Sequence, residues 1–211
     1  MEDLQSLYEA VLEGDTRGTK ALVAQALDEG HNPQGLLDQY LIPAMDEVGR
    51  RFESGDYFVP EMLISARAMK AALELIRPHL STAERESAGK VAVGTVIGDL
   101  HDIGKNLVVA MLEGGGFEVI DLGVDVAPEK FITAVKERGA NIIAMSALLT
   151  TTMPGMRSTI EALKNAGVRD NVKVMIGGAP ITQRYADEIG ADGYSDNASS
   201  AVRLARELVS V

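Results

Sequence analysis

The sequence contains no cysteine and no tryptophan, and only three histidines, His31, His79 and His101. Without cysteine there is no disulfide framework, no thiolate nucleophile, no iron–sulfur cluster and no thiolate-bound zinc. A metal site built from several histidines would use nearly the whole supply. Long apolar runs are missing too, since no stretch approaches the ~20 residues that a membrane-spanning helix needs. The opening Met1-Glu2-Asp3-Leu4-Gln5 has neither the basic flank nor the apolar core of a secretory signal. Positive charge is scarce as well: 20 Lys and Arg face 31 Asp and Glu, for a net charge of −11. The excess is spread along the chain, −7 over residues 1–85 and −4 over the remainder. Neither half offers the basic surface that nucleic acid or an anionic membrane requires. These absences predict a soluble, cytoplasmic chain with no nucleic-acid or membrane partner.

What is present is 211 residues, 46% apolar and 24% charged, a globular composition with room for one large or two small domains. Up to about residue 80 the apolar pattern is helical only. Leu4, Leu7, Tyr8, Val11 and Leu12 form one stripe. Asp15 is placed to cap a second helix with an inner face of Leu22, Val23, Ala26 and Leu27. Asn32-Pro33 reads as an N-cap followed by a helix-starting proline. Pro43 is expected to break or kink that third helix, with Met45, Val48 and Phe52 beyond it. After Pro60 a long helix carries Met62, Leu63, Ala66, Met69, Leu73 and Ile76, and Met62 and Leu63 read as bundle core. Residues 81–89 have no apolar period and are taken as a linker, so the expected domains are 1–80 and 90–211.

Beyond the linker the pattern changes. Apolar runs at 90–96, 117–121, 141–146 and 172–177, and a weak one at 192–195, alternate with helical stretches at 104–114, 127–138, 154–166, 181–189 and 197–209. Such alternation predicts right-handed βαβ units. Five of them indicate an α/β, flavodoxin-like (Rossmann-like) parallel doubly wound sheet in the order 2-1-3-4-5, behind the helical bundle. Ligands of that fold bind beyond the carboxyl ends of the strands, at the switch point between strands 1 and 3. There the sequence has Gly98, Asp99, Leu100, His101, Asp102 and Gly104 after strand 1, Ser146, Leu148, Thr150 and Thr152 after strand 3, and Gly177-Gly178 after strand 4. A lone histidine is more often structural than a ligand. Asp99, however, is two residues away and placed to accept the imidazole Nδ1 proton, which leaves Nε2 for a metal. Gly104 and Gly177-Gly178 remove side chains where a large flat ligand could approach the backbone. His31 and His79 read as surface residues near helix ends.

Asp99-x-His101-x-x-Gly104, 41 residues, Ser146-x-Leu148, 28 residues, then Gly177-Gly178 resembles the cobalamin-binding signature of corrinoid-dependent methyltransferases. The helical half resembles the cap of the same family over Val48, Gly49, Phe52, Gly55, Phe58, Val59 and Pro60 and on through Ser65 to Met69. Together they resemble the cap and corrinoid-binding module of cobalamin-dependent methionine synthase and the small corrinoid proteins of methanogens and acetogens. The resemblance implies a cobalamin or related corrinoid bound base-off, with His101 as lower axial ligand and metal residue. Asp99 would hydrogen-bond it, and the position of the family's relay serine falls on Thr152, which keeps the hydroxyl and adds a methyl. Ser146, Leu148 and Thr150 would receive the nucleotide tail, flanked by Gly177 and Gly178. Tyr194 to Ala198, with Asn197, matches the last contact loop. Phe52 and Val59, the latter replacing the usual leucine, would shield the methyl-bearing face. The implied function is a methyl carrier whose cobalt cycles between Co(I) and methyl-Co(III). It would be loaded by a substrate-specific methyltransferase acting on a methylamine, methanol, a betaine or an aryl methyl ether. A second methyltransferase would unload it to tetrahydrofolate or a thiol, a reductive activator would be a further partner, and the linker is the expected hinge.

Three other functions share parts of this pattern. A phosphoacceptor receiver shares the strand order but needs an aspartate where Ser146 stands and a lysine where Tyr194-Ser195 stand. An adenosylcobalamin mutase module generally lacks the helical cap. A cobalamin sensor or storage module remains the alternative, distinguished by binding without methyl turnover.

Overall fold

In the first eighty residues, apolar side chains three and four apart can be buried only by helices that pack against one another. Helix α1 (Gln5–Leu12) turns inward Leu7, Val11 and Leu12. Asp15 caps α2 (Thr16–Asp28), accepting the Gly18 amide at 2.9 Å. Asn32 caps α3 (Pro33–Leu36) through the Gly35 amide at 2.8 Å. At Pro43, where a break or kink is expected, the chain stays helical. A π turn over Leu37–Leu41 precedes α4 (Ile42–Ser54), with the Ile42 amide donating to the Leu37 carbonyl. The wider turn takes in a proline in the first turn of α4, where its missing N–H costs least. Gly55, with φ of 82°, closes α4 in the left-handed conformation. The long α5 (Val59–Ile76) buries Met62, Ala66, Met69, Leu73 and Ile76, and the buried Ser65 hydroxyl donates to the Leu12 carbonyl at 2.9 Å. Leu63 is a correction: it is exposed, as are Phe58, Val59 and Ile64 beside it.

The computed structural model describes residues 4–81 and 89–209. Most of the expected linker, 82–88, therefore lies outside the described residues. Contacts divide the chain into two units, Met1–Ser87 with Ala110–Gly116, and Ala88–Val109 with Phe117–Val211.

The second unit has a five-stranded parallel sheet in the order β2-β1-β3-β4-β5, built from β1 (Lys90–Thr95), β2 (Glu118–Asp121), β3 (Ile142–Ser146), β4 (Lys173–Gly177) and β5 (Gly193–Ser195). The connecting helices are α6 (Ile103–Gly114), α7 (Pro128–Arg138), α8 (Pro154–Asn165) and α9 (Gln183–Ile189), with α10 (Ala198–Val209) last. The central strand β3 buries Ile142, Ile143, Ala144 and Met145 in succession, as a strand covered on both faces must. On one face Ile143, Met145, Val174 and Ile176 pack with Phe131 of α7, Met156, Ile160 and Leu163 of α8, and Ile189 of α9. Helix α10 lies against β3, β4 and β5. Gly94 of β1 has no side chain because the Phe131 ring occupies the space: a Cβ there would sit 2.9 Å from the ring.

The register decides where the loops emerge. Thr95 pairs with Ser146, Ser146 with Gly177, and Gly177 with Ser195, so four strands end side by side. The chain leaves β1 toward β2 and leaves β3 in the opposite direction, so the loops after β1 and β3 flank the switch point. Because Phe131 is fully buried against β1, Phe131→Ala is expected to cost about 3–5 kcal/mol, read as a lowered urea midpoint with an unchanged far-ultraviolet dichroism spectrum.

Candidate functional site

The loop after β1 begins with a tight turn in which the Asp99 amide donates to the Val96 carbonyl at 3.1 Å. Gly98, at φ of 80°, supplies the left-handed residue that such a turn requires. The turn aims the Asp99 side chain inward, where it is 1% exposed. A buried carboxylate must have its lone pairs answered, and four donors answer these. Oδ1 accepts the His101 amide at 3.1 Å and lies 2.7 Å from His101 Nδ1. Oδ2 accepts the Leu148 amide at 2.8 Å and the Thr152 hydroxyl at 2.7 Å. Burial alone would push the Asp99 carboxyl up. The bonds from Thr152, Leu148 and His101 outweigh it and hold the group well below the usual carboxylate range. An ionised acceptor fixes His101 as the Nδ1–H tautomer, which leaves Nε2 with its lone pair.

The imidazole is half exposed, and the Thr95 hydroxyl holds the His101 carbonyl at 2.8 Å. The segments after β1 and β3 both expose apolar side chains. Ile97, Leu100, Ile103, Leu148 and Leu149 are all exposed, Ile103 by 86%. A Cβ at Gly104 would meet no protein atom within 4 Å, so the space above the start of α6 is open. Asp102 accepts from the Asn106 side chain at 3.1 Å.

The other expected residues divide. Ser146 ends β3 and is half-buried, while Thr150 is exposed. Thr152 is buried, and its hydroxyl also lies 2.9 Å from the Leu149 carbonyl, so one hydrogen faces two acceptors. Gly177 and Gly178 are demanded by the protein's own backbone. A Cβ at 177 would sit 3.0 Å from the Ser195 carbonyl oxygen, and one at 178, where φ is 128°, only 2.0 Å from that of Ala147. Tyr194 is half-buried in β5. Asn197 accepts the Ser200 amide at 2.8 Å and its amide donates to the Ser200 hydroxyl, a reciprocal cap that starts α10 at the buried Ala198. Phe52 and Val59 belong to the helical unit, Phe52 half-buried in α4 and Val59 exposed at the start of α5.

Residues 89–203 match the family model described as a B12 binding domain, and residues 3–77 match a second model of the same description. This chain belongs to the B12-binding corrinoid protein family. It is 46% identical over 209 residues to dimethylamine corrinoid protein 1 of Methanosarcina acetivorans, covering 99% of this chain and 98% of that one. A cobalamin-binding protein from Desulfitobacterium hafniense superposes with a TM-score of 0.82 at 34% identity, over 99% of both chains. A chain of the methanol:cobalamin methyltransferase complex from Methanosarcina barkeri gives a TM-score of 0.84 at 29% identity, over 99% of this chain and 80% of that one.

The residues present fit a corrinoid. A corrin ring brings four equatorial nitrogens, and one oriented imidazole amid exposed apolar side chains is compatible with such a group. Two features of the corrinoid protein escaped sequence reasoning. Lys105, in the first turn of α6, is buried and holds both oxygens of Asp121 at 2.7 Å. A cation there opposes the helix dipole and needs that partner. The second is Asp125, whose amide donates to the Asp99 carbonyl at 2.9 Å and whose carboxylate accepts the Gly98 amide at 2.7 Å. Its signal was Gly123-Val124-Asp125 at the end of β2, where Asp tolerates left-handed backbone.

Because the folded-state pKa of Asp99 lies below its unfolded value of about 3.9, its contribution to stability is complete above that pH. It is lost as pH falls through the folded-state value. Asp99→Asn should lower apo-protein stability at pH 7 by about 1–3 kcal/mol and flatten the fall below about pH 4, measured by denaturant midpoints across the acid range.

Proposed function

We propose that the chain is a methyl carrier that holds a cobalamin or related corrinoid base-off, with His101 as lower axial ligand. It would receive a methyl group from a substrate-specific methyltransferase and yield it to a second methyltransferase acting on tetrahydrofolate or a thiol. When bound, the corrinoid supplies a cobalt that accepts and releases the methyl group, which no side chain does. The observation that carries the reading is the buried Asp99 carboxylate bound to Nδ1 of a half-exposed His101. Asp99 keeps the ring in one tautomer and one orientation, and Thr152 and the Leu148 amide keep Asp99 ionised. The exposed Ile97, Leu100, Ile103, Leu148 and Leu149 supply the apolar surface against which the macrocycle rests and which excludes water. Ser146, Thr150 and the loop from Tyr194 to Ala198 are assigned to the nucleotide tail.

Residues 1–80 are assigned the role of a cap, with Phe52 and Val59 shielding the methyl-bearing face. The apolar exposure of Phe58, Val59, Leu63 and Ile64 supports it. The likeness to a dimethylamine corrinoid protein makes methylamines the first donors to test. The likeness to a chain of a methanol:cobalamin methyltransferase complex supports a methyltransferase as direct partner. A reductive activator, restoring cobalt that has been oxidised, is a further partner.

The test is reconstitution with hydroxocobalamin, reduction to Co(I), and exposure to methylamines, methanol, betaines or aryl methyl ethers with their cognate methyltransferases. Methylation of the cobalt and onward transfer to a thiol or tetrahydrofolate are expected. Tight binding with no turnover in any of these systems would instead indicate storage or sensing. His101→Ala should lose the histidine-ligated cobalt spectrum, and an unchanged spectrum sinks the ligand assignment.

A further inference from the structure

Among the described residues, Asp125 is the only non-glycine residue with positive φ, at 51°. An L side chain in that region is disfavoured, and it persists where surrounding bonds over-determine it. Here the bonds are directed at the loop that carries His101. In the turn from Val96 to Asp99, the middle amide, that of Gly98, points away from the turn and has no partner within it. The Asp125 carboxylate takes that amide at 2.7 Å. The Asp125 amide in turn donates to the Asp99 carbonyl at 2.9 Å. The next residue, Val126, forms a parallel bridge with Val96, its amide donating to the Thr95 carbonyl at 2.9 Å. The strand-end segment after β2 is therefore laid alongside the segment after β1, and Asp125 is the attachment that reaches farthest along the β1 loop.

We propose that Asp125 is a positioning residue for the axial histidine: it clamps the Gly98–Asp99 backbone so that His101 meets the cobalt in one geometry. The inference rests on the reading of His101 as lower axial ligand. Asp125 acts through the turn. The buried side chain of Asp99 can orient the His101 ring only if its own backbone is held, and the clamp supplies two of the holds: one on the Gly98 amide, one on the Asp99 carbonyl. The left-handed backbone of Asp125 is what lets its amide and its carboxylate both face the same turn. Glycine would adopt that backbone with less strain but could not bind the Gly98 amide, and asparagine would retain an acceptor and tolerate the conformation. Strain and clamp are thus separable by substitution.

The full chain is reconstituted with hydroxocobalamin and reduced to Co(II). The histidine-ligated fraction is then read from the nitrogen splitting of the electron paramagnetic resonance signal, using protein labelled with 15N-histidine to separate protein imidazole from the corrinoid's own base. Wild-type protein must show the 15N splitting; if it does not, the ligand reading itself fails. Given that splitting, Asp125→Gly is expected to weaken histidine ligation about tenfold, the scale of one charge-assisted hydrogen bond. Its apo thermal midpoint should stay near wild type, because relief of the backbone offsets the lost bond. Asp125→Asn should restore most of the ligation. Wild-type ligation in the glycine variant overturns the proposal. So does an asparagine variant as impaired as the glycine one, or a ligation loss that follows apo stability across both variants.

Discussion

A carboxylate shut away from water needs a donor for each of its lone pairs, and at Asp99 this requirement organises the carboxyl end of the sheet. The donors come from two separate loops: His101 from the segment after β1, Leu148 and Thr152 from the segment after β3. They meet because Thr95 and Ser146 end their strands in register. The ionised group then does two things at once. It cross-links the loops on either side of the switch point, and it sets the tautomer of the half-exposed His101 imidazole. Moving either loop would leave a buried charge short of partners, a penalty of the size that makes single substitutions conspicuous.

The parallel sheet was legible because its strands are buried on both faces and therefore read as unbroken apolar runs, Ile142 to Met145 most plainly. The helical caps at Asp15 and Asn32 were legible for a local reason, a side chain answering an amide three residues on. Asp99 and His101 share that locality. Features that depend on distant partners were harder to see. Lys105 looks like a solvated cation until Asp121 is placed beside it, and Asp125 looks like an ordinary turn residue until Gly98 is seen to need its carboxylate. Thr152 was placed by family resemblance, since no pattern in the chain links it to Asp99. Pro43 reads as a break or kink in isolation, and the π turn before it carries the helix on. Leu63 fits the helical period of a core residue and is exposed all the same, in company with Phe58, Val59 and Ile64.

Glycine at 177 and 178 shows that one signal can have two sources. The pair reads either as room for a ligand or as an ordinary strand-to-helix turn, and the approach of the Ala147 and Ser195 backbones by itself excludes a Cβ there. Gly104 is different, because no protein atom crowds it, and of these three glycines it is the one whose open space points outward.

The Thr152 hydroxyl has one hydrogen and two acceptors, the Asp99 carboxylate at 2.7 Å and the Leu149 carbonyl at 2.9 Å. Should Asp99 take up a proton, the hydroxyl can turn its hydrogen toward Leu149 and accept from the acid instead. No heavy atom has to move. A single bond rotation would let the buried group change its charge while both loops stay where they are.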